Sequence, residues 1–430
     1  MLLDIMVMSI NMFKKIFSTT TWKQSQITIV STLVNGGLGA FFYITMARFL
    51  GPADFGLLVV SIATLTLIAD IADLGTNTGL IRFVSSHLIS DKTKAFRFLK
   101  LGLKIKVIVW MLVLIAGFFL APILANLVFK KETLLLPLRM VMVGVGGALL
   151  FTYATSSLQS FQKYFSWSFV NISSNLLRLF LIFVLFYSQN LNLINGLIVY
   201  IALPFLGFSL SLLFLPTKQI LSVKGENEVA NQFFKFNRWV AVFTIIAAIS
   251  SRLDTFLNAR LLNVQEVGIY GSANQLIQVV PQIIGALGVV AAPKFASFKN
   301  KTDMFKYFKK FQLMVLGVSL LLILTIPLSF YVIPFLYGTS YTEAVIPFII
   351  LLLAMVVFLL SVPLHNAIIF YYGRSDIFVW ISIVHFLIIG LVGVFMITNY
   401  GIVGTSLTVF IGMIANFLLP LVWFLFKIRE

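Results

Sequence analysis

Ala47 to Leu57 reads ARFLGPADFGL, and 212 positions further on Ala259 to Ile269 reads ARLLNVQEVGI. The register continues without a gap: Arg82 and Phe83 fall on Lys294 and Phe295, Ser85 on Ser297, and Asp91, Lys94 and Phe96 on Asp303, Lys306 and Phe308. Pro122 falls on Pro334. From 47 to 124 the copies share 15 identities in 78 positions, modestly above what two leucine-rich stretches share, but the matching polar, proline and glycine positions are hard to attribute to composition. A duplicated unit is expected, and in a membrane chain such halves usually enclose a substrate path.

The chain is read as a membrane protein because 60% hydrophobic and 10% charged residues, with a mean hydropathy of +1.04, leave too little polar surface to cover a soluble globule of 430 residues. Twelve stretches are long and apolar enough to span, from 25–47 to 403–426, six on each side of the polar segment Pro216 to Arg238. They do not alternate every second residue, so helices are the way to satisfy the backbone in lipid. The expected fold is all-α: twelve transmembrane helices in two pseudo-equivalent six-helix lobes around a central cavity. The expected boundaries are an N-terminal segment 1–24, an N-lobe 25–215, a linker 216–238, a C-lobe 239–426 and a tail 427–430.

Lysine and arginine set the orientation. With the N-terminus inside, 24 of the 31 basic residues fall on cytoplasmic segments, whereas Arg48, Lys130, Lys131, Arg139 and Arg260 fall outside and Arg178 and Arg252 lie within spans. The expectation is a multi-pass protein of the cell membrane with both termini cytoplasmic. The net charge of +17 is then a topology signal at helix ends that meets anionic lipid heads, and no nucleic-acid partner is expected. Two basic, aromatic segments, DKTKAFRFLK from Asp91 and DMFKYFKKFQ from Asp303, read as amphipathic helices along the cytoplasmic interface.

Cysteine is absent, which removes disulfides, thiolate metal sites and cysteine nucleophiles. No small-residue cleavage site follows an apolar core at the N-terminus, so no signal peptide is expected. Neither a phosphate-binding GxxxxGK[ST] loop nor an HExxH motif occurs. Acidic residues on the outer side are the scattered Asp54, Glu132, Glu266 and Glu343, too dispersed for a metal and a sugar phosphate. A transporter, not an enzyme, is expected.

Ionisable groups inside spans are costly and are functional candidates by default. Asp70, Asp73 and Asn77 share one face of span 2; Asn171, Ser174, Asn175 and Arg178 form a stripe on span 5. Span 7 holds Ser251, Arg252, Asp254 and Asn258, and span 8 holds Asn274, Gln275, Gln278 and Gln282. Such stripes either line a wet cavity or hold helices together, as hydroxyl and amide groups commonly do in membranes. His385 is read as a buried neutral imidazole.

Several of these stretches resemble the polysaccharide flippases of the multidrug/oligosaccharidyl-lipid/polysaccharide exporter superfamily. They are ARFLGPADFGLL at the end of span 1, ADLGTNTGLIRF in span 2, LQSFQKY after span 4, and SRLDTFLNARLLNVQEVGIYGSANQL across spans 7 and 8. The resemblance implies transfer of a polyprenyl-pyrophosphate-linked oligosaccharide from the inner to the outer leaflet by alternating access, for surface polysaccharide synthesis. Membrane lipid and the lipid-linked sugar are then the partners, with glycosyltransferases and a polymerase of the same pathway.

An anionic pyrophosphate wants arginine, so Arg178 and Arg252 are expected to anchor it, with Asp254, Asn171, Asn175, Asn274, Gln278, Arg48 and Arg82 completing the substrate site. No cofactor is expected. Asp70 and Asp73 are the candidates for coupling to H+ or Na+. The deep charges, two arginines against three aspartates, are less basic than a pyrophosphate site should be, which leaves an ion-coupled multidrug or cation exporter of the related branch as the alternative.

Overall fold

Lipid offers the backbone no hydrogen bonds, so every spanning segment must satisfy itself, and each of the twelve apolar stretches is helical. The structure is a computed structural model that describes residues 20–374 and 376–429; most of the expected segment 1–24 lies outside the described residues. The helices are α1 (Thr20–Ala72), α2 (Thr76–His87), α3 (Lys92–Ile123), α4 (Leu135–Ser160), α5 (Tyr164–Tyr187), α6 (Leu193–Ser211), α7 (Thr217–Ser222) and α8 (Ala230–Ser250). They continue as α9 (Leu253–Leu261), α10 (Val264–Ile277), α11 (Val279–Ser297), α12 (Lys301–Leu324), α13 (Ile326–Tyr337), α14 (Val345–Asn366), α15 (Asp376–Leu387) and α16 (Gly393–Arg429).

Among the described residues nine helical segments, not twelve, are long and apolar enough by themselves to cross a membrane. The difference has local causes. Expected spans 1 and 2 run on as α1, turned at Gly51 with φ 75°, and expected spans 11 and 12 meet in α16 at Gly401 with φ 58°. Conversely, span 7 breaks at Ser251 and Arg252, span 8 at Gln278 and span 9 at Thr325.

One compact unit comprises residues up to Phe42, Thr64–Ala121 and Leu136–Ala248. Its core gathers Leu80, Phe83, Phe98, Leu99, Tyr153 and Phe233, with the Phe83 and Phe98 rings stacked at 4.8 Å. The basic segment from Asp91 is not a separate interfacial helix. Nothing in AFRFLKLGLKIKV stops a helix, so it forms the first turns of α3, and its cations hold the linker. Arg97 Nε donates to Lys224 O at 2.9 Å and Lys100 Nζ to Val223 O at 2.7 Å, while Arg97 pairs with Glu228 at 2.6 Å. The segment from Asp303 likewise begins α12.

The second compact unit comprises Tyr43–Ala63, Pro122–Leu135 and Ile249–Glu430. Its core is built from Phe295, Met304, Phe311, Val315, Leu359 and Phe424 among others. These units do not follow the 216–238 linker. The reason is visible in paired contacts inside this unit, in which residues 212 positions apart play matching parts. A Cβ on Gly56 would lie 1.9 Å from Val264 O, and a Cβ on Gly268 would lie 1.9 Å from Pro52 O. Arg48 Nη1 donates to Phe335 O at 2.6 Å, at the end of α13, and Arg260 Nη1 donates to Leu127 O at 2.7 Å, in the π turn that ends α3. The carbonyl of Ala47 accepts from Tyr341 Oη at 2.8 Å, and that of Ala259 accepts from Lys131 Nζ. These contacts draw 43–63 and 122–135 in with the second half of the chain.

Candidate functional site

The first candidate cluster forms where expected span 2 fails to continue. Leu74 and Gly75 take positive φ, 50° and 71°, and the helix stops at Ala72 and restarts at Thr76. Gly75 is required twice over, since a Cβ there would also sit 2.8 Å from Val240 Cβ. The break frees Asp73 to cap the restart: its Oδ1 accepts from Thr76 Oγ1 at 3.0 Å and its Oδ2 from Asn77 N at 3.4 Å.

Asp73 also accepts from Lys106 Nζ at 2.6 Å, and that ammonium, wholly buried, donates in addition to Thr152 Oγ1 at 3.3 Å. The sequence reading had placed Lys106 among the cytoplasmic basic residues. Its ammonium is instead buried among protein groups, which adds a third cation to the two arginines set against the three aspartates. Asp70, one helical turn earlier on α1, is exposed, so the two expected coupling carboxylates sit in different surroundings.

Arg178 on α5 is held by aromatic faces. Its guanidinium carbon stands 4.6 Å from the Tyr200 ring centroid and 5.5 Å from that of Phe42, a cation–π arrangement that keeps the charge while leaving hydrogen-bond donors for a ligand. Its Nε is buried and has no hydrogen-bond partner. Asn171 and Asn175 sit on the same helix but bond mostly to protein: Asn171 Nδ2 donates to Trp167 O, and Asn175 Nδ2 donates to Asn35 Oδ1 at 2.8 Å. Asn175 thus ties α5 to α1, whereas Asn171 bonds back to its own helix. Arg82 is exposed, with its guanidinium 4.4 Å from the Phe236 ring.

In the second unit, Arg252 occupies the N-cap of α9 and its Nη1 donates to Ser251 Oγ at 3.2 Å. Asp254 accepts from Tyr270 Oη at 2.6 Å. Asn258 is fully buried and takes the Thr405 hydroxyl. Gln278 Nε2 reaches Asn274 Oδ1 at 3.4 Å beside the break between α10 and α11. Arg48, expected in the substrate site, spends its Nη1 on carbonyls at the end of α13 and is a structural cap there.

Partners missed in the sequence are Lys106, Tyr200, Tyr270, Asn35 and Thr405. Aromatic and hydroxyl groups are too common in apolar spans to stand out. Lys106 carried a usable signal, because its counterpart 212 positions on is Val318, so this cation interrupts one copy of an apolar helix only.

The model for polysaccharide biosynthesis proteins matches residues 21–299. The chain belongs to this family. Among curated proteins none matches it. Solved structures with the same fold include an inward-facing multidrug resistance MATE transporter of the MOP superfamily, 14% identical, with a TM-score of 0.72 over 92% of this chain and 94% of that one. The lipid II flippase MurJ in an inward closed conformation is 14% identical, with a TM-score of 0.71 over 93% of this chain and 87% of that one. A MOP superfamily transporter from Pyrococcus furiosus, described as having a binding pocket of reverse polarity, is 14% identical, with a TM-score of 0.61 over 95% of each chain. At this identity the likeness shows the fold: a multi-pass, all-helical membrane protein of the kind shared by MATE transporters and MurJ.

Proposed function

We propose that this protein is a flippase that carries a polyprenyl-pyrophosphate-linked oligosaccharide across the cell membrane, from the cytoplasmic to the outer leaflet, by alternating access between two six-helix lobes, 25–215 and 239–426. Membership of the polysaccharide biosynthesis family over residues 21–299 is the observation that carries this reading. The surroundings of Arg178 support it, since a guanidinium held by aromatic faces keeps donors for an anion. In this reading Arg178 and Arg252 bind the pyrophosphate, amides such as Asn274 and Gln278 meet the sugar, and the lipid tail stays in the bilayer. Asp70 or Asp73 takes up H+ or Na+ as the anion loads. Both termini are cytoplasmic, and glycosyltransferases and a polymerase of the same pathway supply and consume the substrate.

The fold shared with a MATE transporter favours one second reading, an ion-coupled exporter of cationic drugs. One assay separates the two. Reconstituted vesicles are given fluorescent lipid-linked oligosaccharide on one leaflet, or a lipophilic cation in the lumen. Accelerated appearance of the sugar on the opposite leaflet is expected, with the cation retained. Cation efflux without sugar movement would overturn the flippase reading.

A further inference from the structure

A pocket of about 480 Å³ opens beside the break in expected span 2, lined by Leu74 and Thr76 at the break, Ile105 on α3, and Lys235, Asn237 and Arg238 on α8. All of it lies within the first compact unit. We propose that it binds the phosphate of an anionic lipid, with the first carbons of the lipid chain against Leu74 and Ile105. None of its residues belongs to the substrate site described above.

Three observations converge on an anionic, amphiphilic occupant. The charge is one-sided: Lys235 and Arg238 line the pocket, and no carboxylate does. Asp73 lies next to Leu74, but its Oδ1 is committed to Lys106 and Thr76. Arg238 packs its guanidinium 5.4 Å from the Trp239 ring, and neither it nor Lys235 makes an ion pair or hydrogen bond among the described residues.

Second, Asn237 is 3% exposed, and both its Oδ1 and its Nδ2 lack a hydrogen-bond partner. A buried amide left without partners is costly, so native structures rarely keep one unless a ligand or water completes it. Its side chain packs against Gly79, where a Cβ would come within 2.3 Å of Oδ1. A phosphate oxygen would satisfy Nδ2, and a protonated phosphate oxygen or a lipid hydroxyl would satisfy Oδ1.

Third, much of the remaining wall is apolar, with Leu74, Ile105, Phe234 and Ala241 facing the same space as the two cations. A free sugar phosphate would bury polar hydroxyls against those side chains without partners, whereas a phosphate ester of a long-chain alcohol or a glycerolipid matches both walls. Two sources share this chemistry: an anionic phospholipid of the bulk membrane and the lipid-linked substrate. Only the second rests on the flippase reading.

The test uses the full-length protein in neutral detergent and native mass spectrometry, titrated separately with phosphatidylglycerol, a polyprenyl pyrophosphate and zwitterionic phosphatidylcholine. Lys235→Ala/Arg238→Ala is expected to weaken retention of at least one anionic lipid by tenfold or more, and Asn237→Leu by severalfold. Lys235→Arg/Arg238→Lys, which keeps both charges, should bind as the wild type and so separates charge from folding. Loss confined to the polyprenyl pyrophosphate places the substrate here, and equal loss of both anions marks a site for membrane phospholipid. Unchanged binding of both anions in the alanine variant, or an equal loss of phosphatidylcholine, overturns the proposal. Failure of wild-type protein to move lipid-linked sugar in vesicles, with anion binding intact, would instead count against the flippase reading alone.

Discussion

Gly56 and Gly268 lie 212 positions apart and touch one another: a Cβ on either would stand 2.9 Å from the amide nitrogen of the other. Equivalent residues of two copies meet in this way only on a two-fold axis. Each glycine follows a turn between apolar stretches, at Gly51 and at Asn263. The axis also passes by Val59 and Gly271, which are offset mates in contact.

That geometry yields a lock. A Cβ on Gly271 would lie 3.5 Å from Val59 Cβ, at the short end of the range of about 3.5–4.5 Å that a disulfide requires, and the chain has no cysteine of its own. Val59→Cys/Gly271→Cys should cross-link under mild oxidant, read as loss of maleimide labelling. Alternating access requires this contact to part, so the oxidised protein should stop flipping and recover on reduction. Full transport with the cross-link in place would show that the contact stays shut throughout the cycle.

The paired arginine caps make a second prediction. Arg48 and Arg260 perform the same task for each other's half, each donating to a carbonyl where a long helix ends. Arg48→Ala and Arg260→Ala should lower stability by similar amounts, about 1 kcal/mol each, since both are charged donors in exposed surroundings. Thermal unfolding in detergent measures this. A large loss for one and none for the other would separate the two roles.

The apolar stretches and the turn at Gly51 and Pro52 were legible in the sequence, because each rests on periodicity or on residues with special backbone preferences. Membrane compositions also expose Asp73, Arg178 and Arg252 at once. Their partners were not legible, since tying Asp73 to Lys106 or Arg178 to Tyr200 needs the helix rotation that only packing fixes. The compact units escaped the sequence reading for a related reason. Val240 and Asn237, at the start of α8, pack against Gly75 and Gly79 of the first half, and no local pattern announces such an exchange.

Arg178 gives a third prediction. Its aromatic seat against Tyr200 favours a planar guanidinium, and lysine offers a compact ammonium without the forked donors. Arg178→Ala should abolish sugar flipping in vesicles, with the protein still inserted and monodisperse, and Arg178→Lys should restore only part of it. Wild-type flipping by Arg178→Ala would make this arginine a packing element and move the phosphate elsewhere.

The Asp73–Lys106 pair separates a structural role from a coupling role. The ammonium is fully buried and its carboxylate partner nearly so, and removing one member of such a pair leaves an uncompensated charge at a cost of about 3–5 kcal/mol. Asp73→Asn and Lys106→Met should each destabilise strongly, while Asp73→Asn/Lys106→Met, with no charge left to compensate, should return to within about 1 kcal/mol of the wild type. Asparagine keeps an oxygen for the Thr76 hydroxyl, so the cap on α2 survives in the double variant. If Asp73 exchanges its lysine for H+ or Na+ during transport, the double variant will fold normally and yet flip lipid-linked sugar at a rate that no longer responds to an imposed ion gradient. If the pair serves only to hold α3 against the broken span, stability and gradient response will recover together, and the coupling carboxylate must be sought at Asp70, which lies exposed one turn before the break.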